Sequence, residues 1–337
     1  MSHAPGATAR AAARLLVPWL MLGAAAACHR ADAGQDEAPD PAELARRSGQ
    51  FDKALAAPDS GGGHGGAIAR WLLPDVLQEI SGLALTSDGR LLAHGDKRGL
   101  IYEIDFRRGA IVKEFSIGDG KRAVKGDFEG ITVANGSIFL LTSDSKLYEF
   151  KEGADRSEVP YTLHEPGLDA QCEFEGVAFD PSINSLLLAC KKVHEKALKD
   201  SLVIYRWKLD GDDDSRLSRL TVPRARAIGA NGWDGLHPSD ITVEPRHGNY
   251  VLVASRERAI LEITPAGAVV FSRPLPPEHL QAEGIAITKD SLLLISDEAG
   301  KIESDAGKAL ADAAKHPNRV ADDSVHRRAS IAVYRWP

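Results

Sequence analysis

The sequence predicts an all-β fold, a β-propeller of five four-stranded blades, and three observations lead to this prediction. A unit of apolar segments and turns recurs five times from residue 67 onward. The 337 residues include 31 glycines but only 6% aromatic side chains, which favours short strands and many turns over a large helical core. Each complete unit holds four apolar segments, and radial repetition of four-stranded sheets is typical of propellers.

The first strand of each unit carries a glycine or an aspartate at a fixed position. Read at this position, successive units lie 48, 46, 64 and 44 residues apart, which suits one blade for each unit. The first strands are EISGLAL (79–85), DFEGITV (127–133), EFEGVAF (173–179), HPSDITV (237–243) and QAEGIAI (281–287).

Two further apolar strands follow in every unit, and a fourth follows in all units but the last. The missing strand is expected in AIARWLLPD (67–75), so the N-terminal strand is predicted to complete the last blade and close the ring. Six blades is the alternative count, but a sixth repeat is not found. The second strands are LLAHGD, IFLLTSD, LLLACKK, YVLVASRE and LLLISDE.

The N-terminal segment predicts export. Residues 1–27 are predicted to be a signal peptide, because two arginines precede an uncharged run of 13 residues that is too short to span a membrane. The small residues before Cys28 resemble a bacterial lipoprotein signal, which implies a lipid on Cys28 as the only membrane contact, in the cell envelope facing the periplasm or the outside. Ordinary cleavage is the alternative. Residues 28–66 are predicted to be a flexible tether, and residues 67–337 a single propeller domain.

The net charge of the chain limits the choice of partners. The formal charge is −7, and it becomes −9 without the two arginines of residues 1–27, so nucleic acid is excluded as a partner. A monomer is expected.

With Cys28 lipidated, Cys172 and Cys190 remain as an even pair in an oxidising compartment. The sequence leaves open whether they form a disulfide or pack as two buried thiols.

The order of several motifs carries a family resemblance. The segments EISGLA, KGDFEGI, LLTSD, LYEF, CEFEGVAFDP and LLLACKK together resemble the SdiA-regulated protein family, also called the YjiK family, of bacterial envelope proteins. The resemblance runs over residues 70–337, and CEFEGVAFDP followed by LLLACKK is its most specific part. It implies a β-propeller and, from suggestions made for some members, calcium association and phytase-like chemistry. Membership of a family does not by itself establish a function, which depends on the residues of the site.

Acidic residues predict a site at the end of the channel where first strands begin and second strands end. Glutamate precedes the key glycine in three of the five units. Clustered carboxylates favour a hard cation, calcium first and magnesium second. The alternative is that these side chains accept backbone N–H groups of the neighbouring blade and only fix blade packing. The predicted metal ligands are Glu129, Glu175, Asp240 and Glu283.

Cations and a histidine are expected on the same face. Lys191, Lys192 and Arg256 suit a small anionic ligand, phosphate especially, or balance the acidic ring. His237 is a candidate acid–base group, and Trp233 a candidate stacking group. Two functions remain: a cation-binding module without turnover, and a calcium-dependent phosphomonoesterase of phytase type in which His237, Lys191 or Arg256 is catalytic. Serine-hydrolase and zincin motifs are missing from the sequence.

Overall fold

The computed structural model describes residues 40–58, 66–118, 120, 122–211, 216–300 and 328–337. These residues form a five-bladed β-propeller preceded by one α-helix. The predicted signal peptide, Cys28 and part of the predicted tether lie outside the described residues. Within those ranges, no helix combines the length and the hydropathy that a membrane crossing requires.

Strands are numbered in chain order, and each blade is an antiparallel sheet of four. The strand before the repeats is β1 (Ala69–Leu72). Blade 1 contains β2 (Ile80–Leu85), β3 (Leu91–Gly95), β4 (Leu100–Asp105) and β5 (Ala110–Ile117). Blade 2 contains β6 (Phe128–Ala134), β7 (Ser137–Thr142), β8 (Leu147–Phe150) and β10 (Tyr161–His164). The short β9 (Glu158–Val159) pairs in parallel with β5.

Blades 3 and 4 follow the same plan, and blade 5 takes its outer strand from the N-terminal side of the chain. Blade 3 contains β11 (Cys172–Asp180), β12 (Ser185–Val193), β13 (Ser201–Lys208) and β14 (Leu217–Pro223). Blade 4 contains β15 (Asp240–Val243), β16 (Tyr250–Ala254), β17 (Ala259–Ile263) and β18 (Val269–Pro274). Blade 5 contains β19 (Ala282–Ile287), β20 (Leu292–Asp297), β21 (Ser330–Arg335) and β1.

The ring closes in blade 5 through β1. This strand pairs antiparallel with β21, with Ala69 opposite Val333 and Leu72 opposite Ser330. The pairing covers the edge that β21 would otherwise expose. The predictions of five blades and of closure by the N-terminal strand are confirmed.

The first strands of the five blades form the inner wall of the ring, each in contact with the next and the last with the first. The repeated glycines allow this close approach. A Cβ atom on Gly130 would lie 2.8 Å from the backbone nitrogen of Val177, and one on Gly176 would lie 2.7 Å from the Cα of Asp240. Glycine is therefore required at these positions because the backbones of neighbouring blades touch.

Residues 41–56 correct the prediction of a flexible tether over residues 28–66. They form helix α1 (Pro41–Ala56), whose first turn is capped by Asp40. Phe51 is fully buried, and its ring lies 6.3 Å from the ring of Phe106 in blade 1. Arg335 of β21 holds the end of the helix by donating to carbonyl oxygens of residues 55 and 57 at 2.6 and 2.8 Å. The helix thus packs against the blades that close the ring.

Three short helical segments complete the described structure. Two are 3-10 turns, and the third is an α-helix of five residues between blades 3 and 4. They are Asp75–Leu77, Lys196–Leu198 and α2 (Arg224–Ile228).

Candidate functional site

The residue before the key glycine is a β-bulge in four of the five blades. The strand register shifts between residues 80 and 82, 128 and 130, 174 and 176, and 282 and 284. A bulge leaves one residue without an opposite partner and re-aims its side chain. The residues at these bulges are Ser81, Glu129, Glu175 and Glu283.

Three of the bulges bring glutamates of three blades together at one mouth of the channel. Lys191 of β12 donates from its ammonium group to Glu175 Oε1. Glu175 and Glu129 act on each other's pKa, and the charges of Lys191 and Glu175 both act on the pKa of Glu283. We call Glu129, Glu175, Glu283 and Lys191 the mouth cluster. The structure therefore brings together three predicted metal ligands and one predicted cation.

Burial governs the protonation of the mouth cluster. It raises the pKa of Glu283 to about 7, and the charge of Glu175 adds to this effect. It also raises the pKa values of Glu129 and Glu175, although Lys191 opposes the rise at both. Burial acts to lower the pKa of Lys191, but the surrounding carboxylates outweigh it and raise that pKa. The cluster thus limits its own repulsion through one ammonium group and bound protons.

Asp240, also predicted as a metal ligand, directs both of its carboxyl oxygens to backbone N–H groups. It is fully buried, and its Oδ1 accepts the backbone N–H of Ile241 at 2.8 Å. Its Oδ2 accepts the backbone N–H of Ile285, in the next blade, at 2.8 Å. Burial raises its pKa well above the ordinary range of an aspartate. For this one residue the structure matches the packing alternative, because the carboxyl group joins blades 4 and 5.

The mouth cluster as it stands is not a formed metal centre. In the part of the chain that the structure describes, no group of three or more His, Cys, Asp or Glu side chains is arranged to hold a metal ion. Glu175 already binds the Lys191 ammonium, which supplies the positive charge that a metal ion would otherwise supply among the carboxylates. The donor set nevertheless consists of carboxylate oxygens, the ligands that hard cations prefer. A divalent cation therefore fits this donor set if it displaces the ammonium.

His237 forms a pair with Glu257 beside the mouth cluster. Its Nδ1 lies 2.7 Å from Glu257 Oε1, and its backbone N–H donates to Oε2 at 3.0 Å. Because an ionised carboxylate only accepts, the ring nitrogen that donates to Glu257 is Nδ1, and in the neutral imidazole Nε2 is the acceptor. The Glu257 side chain is 6% exposed and that of His237 28%. Ser255, in the same turn as Glu257, acts to lower the pKa of Glu283, which places the pair beside the mouth cluster.

The remaining candidate residues do not join this network. Arg256 and Lys192 are exposed, and neither makes an ion pair with a residue that the structure describes. Lys192 lies opposite Glu173 in the hairpin of blade 3. Trp233 packs against the apolar cluster between blades 3 and 4, so its ring serves packing there.

A disulfide joins Cys172 and Cys190, with their Cα atoms 5.6 Å apart. It answers the question that the sequence left open. The two cysteines lie on β11 and β12, close to the bulge that presents Glu175 and next to Lys191. The disulfide therefore ties together the two strands that carry the central ion pair of the mouth cluster.

Sequence reasoning missed Glu257 as the partner of His237 and missed the bulges. The only available signal for Glu257 was its position at the end of a second strand, facing the start of a first strand. The bulges have no composition of their own, since both serine and glutamate occupy them.

Comparisons with known proteins give remote similarities. No family model matches the chain, and no curated protein sequence matches it. Glutaminyl cyclase from Myxococcus xanthus is 13% identical, with 80% of this chain and 95% of that one covered and a TM-score of 0.48. The PQQ-bound aldose sugar dehydrogenase from Streptomyces coelicolor is 15% identical, with 79% and 98% covered and a TM-score of 0.45.

A streptogramin B lyase is 17% identical, with 68% of this chain covered and a TM-score of 0.39. The match spans 66% of that lyase, slightly less than two thirds of its length. All three similarities are too remote to carry a function over to this chain.

Proposed function

We propose that this protein is a ligand-binding propeller of the cell envelope whose channel mouth takes a divalent cation, calcium before magnesium. The observation that carries the proposal is the mouth cluster, in which glutamates from three blades surround one ammonium group. Such an arrangement favours a positively charged group between the three carboxylates and surrounds that group with oxygen atoms. Calcium accepts flexible carboxylate geometry, whereas magnesium demands a near-ideal octahedron.

Lys191 is the group with which a cation has to compete. Its side chain is 40% exposed, whereas that of Glu175 is 7% exposed. The ammonium can therefore turn to solvent while the carboxylates stay in place. Glu129, Glu175 and Glu283 would then hold the cation, which supplies the positive charge that keeps the three carboxylates together.

Thermal unfolding in calcium and in chelator tests this proposal. Calcium at about a hundred times its dissociation constant should stabilise the native state by about 2.7 kcal/mol, and the titration has to reach millimolar concentrations. Glu175→Gln should remove the calcium response while the protein stays folded. Ser81→Ala is the matched control, because Ser81 occupies the equivalent bulge in blade 1 without a carboxylate. An unchanged melting temperature of the wild type in millimolar calcium would contradict the proposal.

The His237–Glu257 pair favours a second candidate function, a phosphomonoesterase of phytase type. In that reaction His237 Nε2 accepts a proton from the attacking water as its oxygen bonds to phosphorus. The ester P–O bond breaks, the leaving oxygen takes up a proton from solvent water, and His237 returns its proton to solvent. The exposed Lys192 and Arg256 supply charge for an anionic substrate.

Phosphate release from phytate, with and without calcium, separates the two functions. The esterase requires release that is lost in His237→Asn, whereas a binding module gives none. The motif resemblance to the SdiA-regulated family supports both candidates, since calcium and phytase-like chemistry have been suggested for some of its members.

A further inference from the structure

His279 is a fully buried histidine in the loop that leads from blade 4 into blade 5, outside the mouth cluster. Its Nδ1 lies 2.7 Å from Oδ2 of Asp297, the last residue of β20. Its Nε2 lies 2.7 Å from the hydroxyl of Tyr334 in β21, and this hydroxyl donates to Oε1 of Glu278 at 3.0 Å. We call Asp297, His279, Tyr334 and Glu278 the closure network, because they lie in and beside the blade that closes the ring.

Arg70 of the ring-closing strand β1 contacts the same network. Its Nη2 lies 3.7 Å from Oδ2 of Asp297. The same nitrogen donates to the backbone carbonyl of Glu278 and to the hydroxyl of Ser330, each at 3.1 Å. Three strands of blade 5 and the loop of residues 275–281 therefore meet at the closure network.

The three hydrogen bonds of the closure network require three protons. An ionised carboxylate only accepts, so Asp297 takes a proton from Nδ1, and Glu278 takes the hydroxyl proton of Tyr334. The hydroxyl oxygen is then left to accept, so Nε2 of His279 has to donate as well. A neutral imidazole carries one N–H and a phenol one O–H, which together supply two protons. The geometry thus demands one proton more than neutral His279 and Tyr334 carry.

The balance of charges favours His279 as the carrier of the additional proton. Among the described residues, Asp297 and Glu278 are the anionic side chains of this network, and Arg70 is the cationic one. A neutral imidazole leaves one cation with two anions, whereas an imidazolium makes the charges equal. Burial alone favours the neutral ring, but a carboxylate in direct contact favours the charged one. Tyr334 keeps its own proton, because burial raises its pKa and the charge of Glu278 adds to this effect.

We propose that the closure network is a proton-dependent contact, in which a buried imidazolium of His279 holds the loop of residues 275–281 to the strands that close the ring. Release of the additional proton leaves two protons for three contacts, so one of the hydrogen bonds is lost. A histidine in the unfolded chain is mostly neutral above about pH 6.5. The native state therefore binds one proton more than the unfolded chain at neutral pH, and this contact stabilises the fold less as the pH rises.

Nitrogen NMR of the assigned histidine side chains in the full chain tests the proposal. At about pH 7.5, where an exposed histidine is mostly neutral, we expect both ring nitrogens of His279 to carry protons in wild type. Glu278→Gln should leave one ring proton, because an amide can donate to the Tyr334 hydroxyl, which then donates to Nε2. Glu114→Gln, at an exposed position of blade 1, is the control and should leave both. An unprotonated ring nitrogen of His279 in wild type overturns the proposal.

Urea unfolding at pH 7 and at pH 8 gives a second readout. One additional proton in the native state makes the unfolding constant rise about tenfold with each pH unit. We therefore expect the ratio of the wild-type constant to that of Glu278→Gln to rise about tenfold between the two pH values. Glu114→Gln should follow wild type. A ratio that is the same at both pH values overturns the proposal, and the NMR measurement on wild type needs no variant to fold.

Discussion

Asp240 Oδ2 accepts the backbone N–H of Ile285 at 2.8 Å, a hydrogen bond from the inner strand of blade 4 to that of blade 5. Asp240→Ala leaves this N–H and that of Ile241 without their acceptor in a buried place. We expect the free energy of unfolding in urea to fall by about 2 kcal/mol, since an unpaired buried donor costs about 1 to 3 kcal/mol. The calcium response should persist in this variant. Unchanged stability with a lost calcium response would instead show that Asp240 is a ligand.

Phe51 anchors helix α1 to the propeller, so its truncation should destabilise the whole domain. Phe51→Ala removes a fully buried ring, and such changes cost about 3 to 5 kcal/mol in well-packed cores. Chemical denaturation of the full chain measures the effect. Lys53→Ala, at an exposed position of the same helix, is the control. Equal stability of the two variants would mean that α1 does not contribute to the fold.

The disulfide Cys172–Cys190 closes a loop with a sequence separation of 18. Removal of a disulfide that closes a loop of this size should lower the free energy of unfolding by about 3 kcal/mol. We expect the double variant Cys172→Ala, Cys190→Ala to fold with this deficit. Denaturation of wild type with and without reductant should reproduce the difference. A reductant that leaves wild-type stability unchanged would contradict the prediction.

His94 should make the fold less stable in mild acid. Burial lowers its pKa from 6.5 to about 4, and the hydrogen bond to the carbonyl of Gly95 opposes that effect. Between these two pH values the His94 side chain binds a proton in the unfolded chain but not in the native state. The contribution of neutral His94 to the free energy of unfolding is therefore fully present above about pH 6.5. That free energy falls by up to about 3 kcal/mol as the pH drops towards 4.

The variant His94→Gln isolates this contribution, because glutamine keeps polar atoms and does not titrate. Urea unfolding at several pH values between 4 and 7 should show a smaller loss of stability in the variant than in wild type. Identical pH profiles would assign the acid sensitivity to other groups.

Strand patterning was enough to predict the propeller and its closure. The glycine or aspartate of each inner strand marks the place where neighbouring backbones touch, and the segment around Ala69 was the only candidate for the missing outer strand. These features are local, since each depends on a short segment and the turns that flank it. Glu129, Glu175 and Glu283 could be grouped because equivalent positions of a propeller converge on its axis.

Helix α1 and the partners of the candidate residues could not be predicted in the same way. The helix packs through Phe51 and through Arg335, which lies more than 270 residues away in the chain. The pairing of Lys191 with Glu175 depends on a bulge that shifts the strand register by one residue, and no residue type identifies that bulge. Asp240 was grouped with the glutamates by its charge, whereas its buried position directs its oxygens to backbone N–H groups.

Calorimetric titration of calcium into the wild type and two lysine variants tests the central claim most directly. Lys191→Met removes the ammonium that competes for the carboxylates, and Lys192→Met removes an exposed neighbour. We expect wild type and Lys192→Met to bind one calcium ion with equal affinity, and Lys191→Met to bind it about tenfold more tightly, or about 1.4 kcal/mol. Failure of both wild type and Lys191→Met to bind calcium at millimolar concentration would contradict the claim and leave the mouth cluster with a structural role.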